Sequence, residues 1–151
     1  MSRFVLLDSG PLGLVTGPHK LAGANACRTW LETLLAAGVT MRVPDITDYE
    51  VRRELLRARR MTGVRQLDAL RARIGHLAVT TETLFLASEF WAQLRQQGKP
   101  TAAHTALDGD VILAAQAALL IGIGHSVVIA TTNVEHLSRM VPAEEWQNIT
   151  A

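Results

Sequence analysis

Cysteine is almost missing from this sequence: Cys27 stands alone among 151 residues, so no internal disulfide can form and stability must come from apolar packing. A chain of this length can build one such core, and a single domain over residues 1–151 is the expectation. No apolar run approaches the length of a bilayer span. Only Phe4 to Leu7 separate Arg3 from Asp8, too few for a signal-peptide core. The expected setting is therefore a reducing cytoplasm, with no membrane partner. Charged residues make up 19% against 48% hydrophobic, a balance that excludes a disordered chain. Cysteines and histidines at zinc-ligand spacing are absent. The glycine fingerprints of nucleotide loops are absent too, since Gly122-x-Gly124 follows a helical pattern and not a strand. Internal repeats, low-complexity segments and linkers are also missing. Aromatic residues are scarce at 5%, and Phe90 and Trp91 read as core residues.

What is present is an alternation of strand and helix patterns. Phe4-Val5-Leu6-Leu7 has the unbroken apolar character of a parallel strand buried on both faces, and it stops in Asp8. Gly10 and Pro11 suit the N-cap and first position of a short helix. Helices are expected over 24–37, 45–60, 64–74, about 81–97, 108–123 and 134–139, with strands over 39–43, 77–79 and 126–130 and an edge strand within 145–150. His104 falls in the loop 101–107. This order predicts a three-layer α/β/α sandwich around a mostly parallel sheet. In such sheets ligands bind beyond the carboxyl ends of the strands. Asp8 is expected there, unless it merely caps the helix that follows.

Other carboxylates are expected at the same rim. Glu50 is placed in the first turn of the helix after the second strand, where Thr47-x-x-Glu50 also matches a capping box. Asp108 is expected to N-cap a nearly all-apolar helix, with Asp110 in its first turn, where acids also suit the helix dipole. Thr131 and Asn133 end the strand 126–130, positioned to hold solvent or a phosphate oxygen. Carboxylates gathered in one crevice repel each other unless a cation lies between them, and hard oxygen donors select Mg²⁺ or Mn²⁺. Mg²⁺ is commonly completed by substrate phosphate, which favours hydrolysis or transfer at phosphorus. Net charge is only +1, yet nine of the fifteen basic residues are arginines between Arg42 and Arg73. They make a basic surface or an ordinary solvated helix face.

FVLLDSGPLG near the start, DYEVRREL around Glu50, DGDVILAAQA and VVIATTNVEHL occur in the order of the PIN-domain family. The chain resembles that family, and within it the VapC-like toxin ribonucleases, over most of its length. The resemblance implies a metal-dependent endoribonuclease with Asp8, Glu50 and Asp110 as acidic core. Asp8 and Asp110 would hold Mg²⁺ or Mn²⁺, with Asp108 filling out the shell, Glu50 would position a water, and Thr131 and Asn133 would support. It also implies an RNA substrate, a cognate antitoxin and a homodimer. Arg52, Arg53 and Arg57 are the expected nucleic-acid contacts, or contacts to an acidic antitoxin segment. A phospho-accepting receiver domain would need a lysine on a late strand, where none follows Val127. A haloacid-dehalogenase-type phosphatase would need an aspartate where Gly10 stands. The alternative of a different class is a noncatalytic PIN-like module that binds RNA or protein.

Overall fold

A computed structural model describes residues 2–98 and 104–151, without the side chains of 104–106. The chain runs β1 (Arg3–Leu7), α1 (Ser9–Thr16), α2 (Ala24–Ala36), β2 (Thr40–Pro44), α3 (Asp45–Arg57), α4 (Met61–Ile74) and β3 (His76–Leu77). It continues through α5 (Thr81–Gln96), α6 (His104–Gly122), β4 (Ser126–Thr131), α7 (Val134–Leu137) and β5 (Ala143–Glu145) to a 3₁₀ turn, Trp146–Asn148. The strands form one five-stranded sheet in the order β3-β2-β1-β4-β5. Every pairing is parallel. The first strand is central, and Val5, Leu6 and Leu7 are almost wholly buried, as its unbroken apolar run predicts.

Alternate residues of the central strands face two separate cores. Val5, Leu7 and Ala130 join Leu12, Cys27, Leu34 and Leu67 on one side. On the other, Leu6, Val127 and Ile129 join Leu113, Ala114 and Ala117 of α6. A further apolar seam of Ala87, Leu94, Val111 and Ala115 joins α5 to α6. This is an α/β/α sandwich around a parallel sheet. Cys27 belongs to the core: it is fully buried, and burial pushes its thiol up to about 12.

Four local expectations change. Asp8 itself is the N-cap of α1, which begins at Ser9 and not at Gly10-Pro11. The third strand is shorter and earlier than 77–79. The last strand ends at Glu145, and the segment expected to be an edge strand turns back so that Trp146 and Ile149 enter the core. Trp30 holds that turn, with its indole 5.6 Å from the Trp146 ring and its N–H donating to the Ile149 carbonyl at 3.0 Å. Trp91 is 39% exposed under the Arg95 guanidinium, so it is not the core residue its spacing suggests. The side chain of His104 lies outside the described residues, although its backbone opens α6.

Two glycines show how tightly α1, α3 and α4 meet. A Cβ at Gly63 would lie 2.6 Å from Leu55 Cδ2 and 3.0 Å from the Thr16 carbonyl, whereas a Cβ at Gly13 meets nothing within 4 Å. Gly63→Ala is therefore expected to destabilise the protein by about 1–3 kcal/mol through overpacking. Gly13→Ala should gain about 1 kcal/mol of helix propensity. Thermal melts of the two variants, which should shift in opposite directions, check this.

Candidate active site

At the carboxyl end of β1, Asp8 is only 7% exposed and both of its oxygens are engaged. Oδ1 accepts from the Ser9 backbone N–H at 2.7 Å, and Oδ2 accepts the Thr131 hydroxyl at 2.7 Å. Thr131 Oγ1 in turn accepts from the Asn133 backbone N–H at 2.7 Å, so the end of β4 fixes the carboxylate at the end of β1. Gly10 permits this closeness, since a Cβ there would stand 2.8 Å from Thr132 Oγ1. Capping and site placement are thus both true of Asp8.

Glu50 does not cap α3. The helix begins at Asp45, so Glu50 lies in the second turn. Thr47 turns inward, and its hydroxyl donates to the carbonyls of Leu7 (2.9 Å) and Pro44 (3.0 Å). Released from capping, Glu50 reaches across to α6, where a Cβ on Gly109 would come within 2.5 Å of its Oε2. The neighbouring residue on α6 is Asp110, whose Oδ2 is 3.4 Å from Asn133 Nδ2.

Asp108 leaves this group. The helix α6 starts four residues earlier than its acids suggest, so Asp108 is an interior, exposed residue and not a cap. Two residues along an α-helix are about 200° apart at 3.6 residues per turn. Asp108 accordingly lines a groove with Leu84, Ser88 and Trp91, away from the Asp110 side.

The electrostatics bind the remaining three together. Burial raises the Asp8 carboxyl above its ordinary value, against its hydrogen bonds to Thr131 and Ser9. Glu50 is raised by burial and by the Asp8 charge. Asp110 is pushed up to about 7 by burial, then by Asp8 and Glu50. Among the described residues, no three His, Cys, Asp or Glu side chains are arranged to hold a metal ion. The donor types nevertheless fit a hard cation: carboxylate oxygens under a mutual repulsion that positive charge relieves. Mg²⁺ keeps several waters and needs only one or two carboxylates directly. Residues that could hold it are Asp8 and Asp110. One residue beside them carried no clear sequence signal: His136 on α7, whose buried Nδ1 has no hydrogen-bond partner among the described residues and lies 3.9 Å from Asp110 Oδ2.

Part of the arginine cluster is structural. Arg52 is clamped by Asp48 and Asp68, both at 2.8 Å, which joins α3 to α4 and holds its guanidinium firmly charged. Arg71 binds Asp45 at 2.6 Å, Arg73 binds Glu32, and Arg42 donates to the Met41 and Ile74 carbonyls. Arg52 is therefore withdrawn from the expected nucleic-acid contacts, because the partly buried Asp48 already occupies its fork. Arg53 stacks over Tyr49 at 5.1 Å, and Arg57 pairs with Glu54 at an exposed site. Arg53 and Arg57 line a groove of about 500 Å³ with Ser9 and Glu50.

No family model and no curated protein matches this sequence. Solved structures do. A chain of VapBC2 from Rickettsia felis, bound to a DNA fragment from their promoter, is 17% identical with a TM-score of 0.70, over 93% of this chain and 97% of that one. A chain of VapBC-1 from nontypeable Haemophilus influenzae has the same identity of 17% and TM-score of 0.70, over 96% and 99%. A chain of DNA-bound VapBC from Salmonella typhimurium is 20% identical with a TM-score of 0.60, over 97% and 99%. The fold is shared with these complexes. At such identities the likeness carries the architecture alone.

Two outcomes follow from the charge arrangement. Because the folded Asp110 pKa of about 7 lies above its ordinary 3.8, the folded state binds the extra proton and stability falls as pH rises between those values. The melting temperature of metal-free protein should decline over that window. Asp110→Asn should flatten the slope and stabilise the metal-free protein at pH 8 by roughly 1–3 kcal/mol. Arg52→Gln should instead destabilise by roughly 1–3 kcal/mol, since it strands part of the Asp48 carboxylate. Urea titrations across pH check both.

Proposed function

We propose that this chain is a divalent-metal-dependent endoribonuclease, acting as the toxin of a toxin–antitoxin pair. The observation that carries the reading is the convergence of Asp8, Glu50 and Asp110 from three separate elements on one edge of the sheet, close enough to repel each other's charge. The shared architecture with VapBC complexes supports the antitoxin partner. Bound Mg²⁺ or Mn²⁺ would supply neutralisation of phosphate charge and a more acidic water.

This chain's residues have separable tasks in the proposal. Asp8, locked by Ser9 and Thr131, and Asp110, beside Asn133, form the anchoring pair. Glu50 accepts the proton of the attacking water at its carboxylate, a task suited to a base whose pKa is raised by burial and by Asp8. Gly109 is a positioning residue, leaving the space that Glu50 fills. A homodimer is part of the proposal. It is supported by the exposed Leu84, Phe85 and Trp91 on α5, an apolar face of the kind that marks association surfaces.

A noncatalytic RNA- or protein-binding module is the second reading, favoured by the lack of a ready-made metal geometry among the described residues. Calorimetry with Mn²⁺ and cleavage of single-stranded RNA, with and without EDTA, separate the two. The nuclease reading expects metal binding that Asp8→Asn removes and cleavage that EDTA abolishes. Gly109→Ala should lower kcat by about 10²-fold or more by displacing Glu50, with little change in the fold. Unchanged RNA in the presence of Mn²⁺, with no heat of binding, leaves the noncatalytic module.

A further inference from the structure

The groove beside the carboxylates has a chemistry of its own. It lies between α1 and α3, and Ser9 and Glu50 belong both to it and to the acidic crevice. Away from that end its wall is apolar, with Leu21 (45% exposed), Val51 and Leu55, and its rim carries Arg53, Arg57 and Arg60. Arg60 forms no ion pair among the described residues. Among the described residues Arg57 is held only by Glu54, in a pair whose members are 73% and 59% exposed, and such pairs open at little cost. Gly13 keeps the α1 side of the groove clear.

We infer that this groove is the bed for the nucleotide next to the cleaved phosphate in a single-stranded RNA, its base on the Leu21 wall and its phosphate on the arginine rim. The inference rests on the nuclease reading and adds a direction to it. A phosphodiester chain cut at the acidic crevice must leave it, and the groove continues from it. An apolar surface under guanidinium groups matches a nucleotide, which joins a flat apolar face to an anion. Only an unpaired strand can splay a base into such a groove. The volume of about 500 Å³ falls within the usual size of ligand pockets.

Gly13→Leu tests this directly, because a Cβ at that position has no neighbour within 4 Å among the described residues and the added side chain enters the groove. Fluorescence anisotropy is measured with a short single-stranded RNA of mixed sequence, on the full chain carrying Asp8→Asn to prevent cleavage. Gly13→Leu should weaken binding by about tenfold or more. Arg60→Gln, which leaves the interior untouched, should reduce the slope of log affinity against log salt by about 0.7. RNA affinity and salt slope equal to the parent in both variants overturn the groove assignment while leaving the nuclease reading standing. A parent that binds no RNA, and a chain with Asp8 intact that cuts none in Mn²⁺, overturn both together. An acidic peptide of alternating Glu and Leu serves as counter-probe. If it binds the parent and is lost in Gly13→Leu while RNA binding is unchanged, the groove is a protein-docking site and the inference falls.

Discussion

Three carboxylates that repel each other are held at one edge of a parallel sheet, and much of the surrounding structure serves to keep them there. In a metal-free fold such a cluster is a cost: burial raises all three groups, and their mutual charge raises Glu50 and Asp110 further. That cost is tolerated because the positions are over-determined by backbone placement. Asp8 ends the most central strand, Glu50 stands on a helix that follows the adjacent strand, and Asp110 projects from the helix packed on the opposite face.

Close backbone approach makes the arrangement possible. Gly10 lets the start of α1 come against Thr132, and Gly109 lets Glu50 lie against α6. A side chain at either position would displace its neighbour, the Thr132 hydroxyl at Gly10 and the Glu50 carboxylate at Gly109. The ionic clamp of Arg52, Arg71, Asp45 and Asp48 then fixes α3 against α4. A partly buried aspartate with two guanidinium partners ties the two helices together and thereby orients the helix that carries Glu50. The same clamp divides the arginine cluster in two: some of its members hold the fold, and others are left at the rim of the groove beside Glu50.

Legible in the residues alone were the alternation of elements, the burial of Val5, Leu6 and Leu7 and the position of Asp8 at a strand's end. Those properties follow from local periodicity and chain order, which neighbouring residues set. Which residues meet is set by how the elements pack. Thr131 and Asp8 are 123 positions apart, so their hydrogen bond has no local signature. Asp108 and Asp110 part because two residues along a helix lie about 200° apart, and a helix that starts at His104 carries both acids in its interior. Thr47 abandons Glu50 for the Leu7 carbonyl, since a fully buried hydroxyl must find a partner in the core. Arg52 and Arg60 are the same residue type in the same charge run, yet one is clamped by Asp48 and Asp68 while the other lines the groove. That division is set by where α4 and α1 pack against α3, which composition does not encode.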